Sequence, residues 1–260
     1  MDETGDPDVI NELGAFYYGK RMFDLALRYY ELAAEKGNLY ATSNLGYIWY
    51  YGRTGEKDYQ KAFYYFDKAS RMGDLIAAYK VADMYKNGYF VEKDYQKYKA
   101  AIEELYPKVK NPRRLNDPLP EVFSRLARIR SKEGDAEEAL RLYDRARDFL
   151  ARRIQNNPFF GDLNVMKWMT EDIYRLRPFD PENVMLYDLY HVLKSPAKAA
   201  FGFDGETFEA EALEENGEPA IRFGDGWFRD TDDFFRKAEI DGELLTYLYD
   251  ELYDFRVTEK

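Results

Sequence analysis

Apolar side chains recur three and four residues apart at Ala41, Leu45, Ile48 and Trp49, and again at Ala62, Tyr65, Phe66 and Ala69. That spacing lays each set along one stripe of a helix, so the stretch predicts two amphipathic helices joined by a turn. The turn repeats too: the string EKDYQK beginning at Glu56 returns 36 residues later, beginning at Glu92. Ala41 recurs as Ala77, Gly52 as Gly88, Asp58 as Asp94 and Lys61 as Lys97 at the same interval, and YYELAAEKGN at 29–38 matches YFDKASRMGD at 65–74. Three copies of one helical hairpin follow. The first is shorter, because Leu13-Gly14 precedes Leu45-Gly46 by 32 residues, and the loss is expected in the turn between its two helices.

One hairpin leaves an apolar face uncovered, and only stacking on a neighbour buries it. Gly46 is expected where paired helices approach closely, Gly52 and Gly73 where helix ends favour a left-handed residue, and Asp58 at the start of a second helix. The pattern A-x3-LG, an aromatic residue three positions after Gly46, G-x5-D-x2-KA and a closing KA-x3-G resembles the Sel-one-like repeat, a relative of the tetratricopeptide repeat. Ala41, Leu45, Gly46, Trp49, Gly52, Asp58, Lys61, Ala62, Lys68, Ala69 and Gly73 carry the resemblance, which spans residues 8–110. The third copy departs from it: Val81-Ala82 replaces Leu-Gly, Tyr98 replaces the alanine after Lys97, and Tyr106-Pro107 ends the second helix differently.

The resemblance implies an α-helical solenoid in which the first helix of each hairpin lines a concave surface, and a protein–protein interaction scaffold or adaptor rather than an enzyme. Counted from the Leu-Gly pair, the inward positions become Asp8, Asn11, Ala15 and Tyr18, then Tyr40, Ser43, Tyr47 and Tyr50, then Ile76, Tyr79, Asp83 and Lys86. Asn11, Tyr18, Tyr40, Tyr47, Tyr50, Tyr79, Asp83 and Lys86 are the candidate partner-binding residues. Tyrosine offers a large apolar ring with a polar tip, which suits recognition of a protein or peptide segment. Packing of the same rings between hairpins is the alternative. A clamp for a free C-terminus is not supported, since only Asn11 and Lys86 have the chemistry for it.

After the proline-rich stretch NPRRLNDPLP at 111–120, residues 118–196 read as a further tetratricopeptide-like hairpin with small Ala127, Ala139 and Ala146, followed by helices over 163–177 and 181–194, the latter opened by Pro181. From 197 the period changes from helical to alternating. Asp204-Gly205 and Asn216-Gly217 predict hairpin turns, with Phe208, Ala210 and Ala212 on one face of a strand and Thr207, Glu209 and Glu211 on the other. A helix capped by Asp within DTDDFFRKA and an amphipathic helix over 241–255 complete the expectation of a small acidic α+β module at 197–260.

Charge sharpens this division. Residues 1–110, 111–196 and 197–260 carry −1, +1 and −11, so the whole net charge of −11 sits in the last quarter. That acidity serves solubility, contact with a basic partner, or docking on the arginine-rich hairpin at 125–153. An inhibitor-like or immunity-like decoy for a basic protein is therefore a second reading, and a hydrolase built from carboxylates of 197–260 a third.

The remaining chemistry is sparse. The chain has no cysteine, one histidine (His191), and no phosphate-binding loop, nucleophile elbow or zinc-helix motif. No cofactor or metal is expected. Residues 230–243 fail the calcium-loop template D-x-[DN]-x-[DN]-G because Phe234 and Phe235 occupy its fifth, ligand position and its glycine position. Acids interleave with the arginines of 125–153 and the global charge repels phosphates, which argues against nucleic acid. With a polar acidic start and no long apolar run, the expectation is a cytoplasmic protein without a membrane span.

Overall fold

The computed structural model describes residues 5–157, 160–215 and 218–259. Each second-copy signal has a local cause in it. Six helices form three hairpins: α1 (Pro7–Gly19) with α2 (Phe23–Glu35), α3 (Leu39–Tyr51) with α4 (Tyr59–Arg71), and α5 (Leu75–Asn87) with α6 (Tyr95–Val109). The aspartate of the repeated EKDYQK string caps a helix both times. Asp58 accepts from Lys61 N and Asp94 from Lys97 N, each at 2.9 Å, satisfying a backbone donor that a helix start leaves unpaired. The short first copy lacks this device, because Met22, at the cap position before α2, makes no side-chain cap. Its turn is the shortened one, as expected.

Glycine is required twice over. Gly52 ends α3 at φ 63° and Gly88 ends α5 at φ 73°, conformations costly for a residue with a Cβ. Gly46 is needed for space: a Cβ there would lie 2.5 Å from the Phe66 ring, and one at Gly14 would lie 2.5 Å from the Tyr30 ring. The third copy solves the same contact differently. The positions 36 residues on from Gly46 and Phe66 are Ala82 and Ile102, both fully buried. Relative to the second copy, the glycine position gains a methyl and the ring position holds a smaller aliphatic chain, the pattern that an exchange of volume across one interface would leave. The third copy also carries a proline within its second helix, and α6 runs past Pro107 to Val109.

The chain divides into two compact units, residues 1–111 and 112–260. The second holds α7 (Leu119–Lys132), α8 (Ala136–Asn156), α9 (Phe160–Leu176), the single-turn α10 (Leu189–Val192), strands β1 (Ala197–Phe203), β2 (Glu206–Glu215), β3 (Glu218–Phe223) and β4 (Gly226–Phe228), helix α11 (Thr231–Lys237), and strands β5 (Glu239–Ile240), β6 (Glu243–Leu244) and β7 (Tyr253–Glu259). The charge step near 196 coincides with the change from helix to strand and lies inside this unit. The α7–α8 turn has the hydrogen bonding of the connection between the second and third hairpins. Gly134 N donates to Ser131 O and Asp135 N to Arg130 O, as Gly73 N donates to Ser70 O and Asp74 N to Ala69 O.

The main sheet has the order β4-β3-β2-β1-β7, with every neighbour antiparallel. Ala199, Phe201, Ala210, Ala212, Ile221 and Phe223 are buried on one face, while Thr207 and Glu209 are exposed on the other, as the alternation predicts. Asp204 and Gly205 both have positive φ in the β1–β2 turn. The expected Asn216-Gly217 turn lies outside the described residues.

Two expected helices are not formed. Over 181–194 only a 3-10 turn at Leu186–Asp188 and α10 are helical. Asp180 and Asp188 instead accept backbone hydrogen bonds from Glu182 and Met185, and every residue from Leu186 to Tyr190 is buried. A segment enclosed on all sides has no solvent face for an amphipathic helix to present. Over 241–255, Asp241 and Gly242 adopt φ 54° and 83° and close the β5–β6 hairpin, the Asp-Gly chemistry of a type I′ turn. Leu245 and Leu248 then sink into the core as turns, and the chain leaves as β7, where Tyr253 covers Gly202 so closely that no Cβ fits there.

Candidate functional site

In the first unit the first helices of the hairpins are joined through polar side chains. Asn38, the cap of α3, donates to Asp8 at 2.6 Å, Asn44 donates to Asn11 at 3.2 Å, and Arg53 Nε donates to the Tyr18 hydroxyl at 2.9 Å. Between these contacts lies a small pocket of about 140 Å³ lined by Tyr18, Tyr30, Asn44 and Tyr47. Spacing along α3 builds its aromatic flank, because Tyr47, Tyr50 and Tyr51 fall on neighbouring positions of consecutive turns. Tyr47 stacks on Tyr51 with centroids 6.1 Å apart, and Tyr47 and Tyr50 meet the Phe66 ring edge-on at 5.1 and 6.2 Å.

Two cations lie over these rings. The Arg53 guanidinium is 5.0 Å from the Tyr51 centroid, 5.6 Å from Phe23 and 5.7 Å from Tyr18. Lys80 Nζ is 5.2 Å from Tyr47, 5.7 Å from Tyr50 and 5.5 Å from Tyr79. Burial pushes the Tyr50 hydroxyl up to about 12, with Tyr89 and Asp83 adding to the shift, and burial beside Tyr18 pushes Tyr30 up to about 12. Both phenols therefore stay protonated donors throughout the physiological range. The surface offers amides, phenols and cations set in aromatic rings.

The Sel1 repeat model matches residues 8–38, 39–74, 75–103 and 130–148. Those four segments carry Sel1 repeats. A Sel1 repeat protein from Oxalobacter formigenes is similar in structure, with a TM-score of 0.54 at 22% identity over 73% of this chain and 70% of that one. The protective antigen c5321 of uropathogenic Escherichia coli, which displays an SLR fold, aligns with a TM-score of 0.46 at 18% identity over 73% of this chain and 45% of its own. No curated protein matches. Sel1 and tetratricopeptide-like repeats are in general scaffolds for protein–protein interaction. The fourth match begins at Arg130 and includes the Gly134-Asp135 turn, hydrogen-bonded like the Gly73-Asp74 turn that closes the second match.

Within the Sel1 unit the structure brings Asn11, Tyr18, Tyr47, Tyr50 and Asp83 to one region. Tyr79 is 7% exposed and Ser43 5% exposed, so both face inward. Tyr40 is 60% exposed at the start of α3, and Lys86 lies 5.4 Å over the Tyr98 ring of α6. Asn44, Tyr51, Arg53 and Lys80 were not singled out from the sequence. Asn44 and Lys80 directly follow Ser43 and Tyr79, so the open face is turned by about one residue from the counted one, roughly 100° of helix rotation. Arg53 follows the glycine that ends α3, where helical counting gives no face.

In the second unit the arginine-rich hairpin turns inward. Arg128 pairs with Asp172 at 2.6 Å, Arg147 with Asp188 at 2.8 Å, and Arg153 with Glu121 at 2.6 Å and Asp162 at 2.8 Å. These partners belong to 112–196, so the acidic stretch after 197 is not what neutralises those three arginines. His191 stacks on Tyr174 with centroids 4.3 Å apart, a packing role. A cleft of about 390 Å³ includes Glu214 and Asp230 in its lining, but Asp230 caps α11 by accepting from Asp233 N at 2.8 Å. Among the described residues no cluster of three or more His, Asp or Glu is placed to hold a metal, and no helix is long and apolar enough to cross a membrane.

Proposed function

We propose that the protein is an interaction scaffold whose Sel1 unit holds an extended partner segment against the face formed by Asn11, Tyr18, Asn44, Tyr47 and Tyr50, with Tyr51 and Asp83 at its border. What carries this reading is the pocket between Tyr18, Tyr30, Asn44 and Tyr47: aromatic walls supply contact area, and the Asn44 amide supplies hydrogen bonding for a backbone or a polar side chain. Rings already packed on Phe66 lose little conformational freedom on binding, which favours affinity. The face accepts a segment rather than performing chemistry on it. Tyr40, Tyr79 and Lys86 lie outside the contact area in this reading.

The test compares two exposed tyrosines, Tyr51 at 43% exposure and Tyr64 on α4 at 59%. Each is replaced in turn by the photo-crosslinker p-benzoylphenylalanine and the source cell is irradiated. The expected result is a discrete adduct from position 51 and none from 64. An adduct from 64 alone moves binding to the second-helix face, and adducts from neither argue against a scaffold role for this unit.

A further inference from the structure

Arg53 is held more firmly than an exposed arginine at a helix end needs to be. Its amide donates to Ile48 O at 3.0 Å behind Gly52, which fixes the backbone. Its Nε is engaged by the Tyr18 hydroxyl at 2.9 Å, and Tyr51, Tyr18 and Phe23 surround the guanidinium within 5.7 Å of their centroids. Among the described residues Arg53 has no carboxylate partner, whereas Arg71 pairs with Asp67 at 2.8 Å and Arg141 with Glu137 at 2.6 Å. With Nε committed and the plane set by rings, the two terminal nitrogens remain as a planar fork matched to a two-oxygen anion.

We infer that Arg53 is a preorganised receptor for a carboxylate side chain of the partner, and that the segment bound by the Sel1 unit is an acidic peptide. This rests on the scaffold reading above. Tyr18 lines the pocket and Tyr51 stacks on Tyr47 beside it, so the fork stands at the pocket's edge and the acid sits next to the residue that enters it.

The experiment selects a displayed library of random dodecapeptides on the full chain, then measures the winning synthetic peptides against the wild type, Arg53→Gln and Arg53→Lys. Asp or Glu is expected at one fixed position. Arg53→Gln should weaken binding by about tenfold, as should changing that acid to its amide, with no further loss when both changes are combined. Arg53→Lys should recover only part of the affinity because the fork is lost, while all variants keep the wild-type melting temperature. Peptides without an enriched acid, or acidic peptides that bind Arg53→Gln unchanged, overturn the receptor but leave the scaffold reading standing if they still compete at Tyr51. Selection of no peptide overturns both. A more than tenfold gain on replacing the acid by phosphoserine overturns the carboxylate assignment in favour of phosphate.

Discussion

The two units bury their polar and apolar groups by different means. In the Sel1 unit two of the interhelical contacts set a glycine against a ring, Gly14 on Tyr30 and Gly46 on Phe66, and the Asp58 and Asp94 caps are half-buried at helix starts. In the second unit charge itself goes inside: Arg153 is 8% exposed and serves both Glu121 and Asp162, and Asp188, at 3%, meets Arg147. Repeated short-range contacts need only the right residue at the right spacing. Buried ion pairs need partners that lie 32 or 41 residues apart to arrive together, and they leave a cost if one partner is missing.

The largest expected effect breaks the second unit. Arg153→Leu leaves two enclosed carboxylates without their cation, and Glu121 Oε2 already lacks a hydrogen-bond partner among the described residues. A loss of ~3–5 kcal/mol is expected in urea unfolding at neutral pH. Burial raises the Asp162 carboxyl above its ordinary value. A carboxyl raised in the folded state favours folding below its unfolded value and loses that contribution as pH rises, so the variant's deficit should shrink on acidification. Adding Glu121→Gln and Asp162→Asn should restore most of the stability. A deficit independent of both pH and these changes would mean that packing, not charge, holds the site.

Next in size is a test of the repeat interface. Gly46→Ala alone should destabilise α3–α4 by ~1–3 kcal/mol through overlap with Phe66, read by hydrogen exchange of their amides. Phe66→Ile alone leaves a void. The double change copies the Ala82 and Ile102 pairing of the third hairpin and should recover most of the loss. An additive double mutant would show that the third copy's departure is not an exchange across one interface.

The smallest effect concerns the caps. Accepting a backbone hydrogen bond holds the Asp58 and Asp94 carboxyls below their ordinary value. Their contribution is therefore present above the unfolded carboxylate range, about pH 4, and is lost as pH falls through the lowered values. Replacing both by Ser keeps a neutral acceptor. Exchange protection of α4 and α6 should then fall less steeply on acidification than in the wild type, opposite in sign to the Arg153→Leu response. Equal slopes would remove the caps from the comparison.

Much of the first unit was legible because each signal was local. The 36-residue period, the Asp caps, the shortened first turn and the need for Gly46 all follow from residues close in sequence. The proposed binding face was legible only to within one residue of rotation, since periodicity marks a stripe of the helix while burial of Ser43 and Tyr79 depends on what packs there. Arg53 was not legible, because its three rings come from α1, α3 and the start of α2. The Asp241-Gly242 turn was readable by the same chemistry as Asp204-Gly205, yet helical spacing of Leu and Tyr over 244–253 outweighed it.

The sequence by itself determined the hairpin, three of its copies, its caps and the alternation of β2, since these depend on neighbours within one turn of helix or one pleat of strand. Only the tertiary structure decided where the arginines of α7 and α8 find their acids, that 186–190 lies buried on every side, and that the chain after Leu248 pairs with β1. Those outcomes depend on which distant groups share a low-dielectric interior, and one chain read in order carries no distance between them.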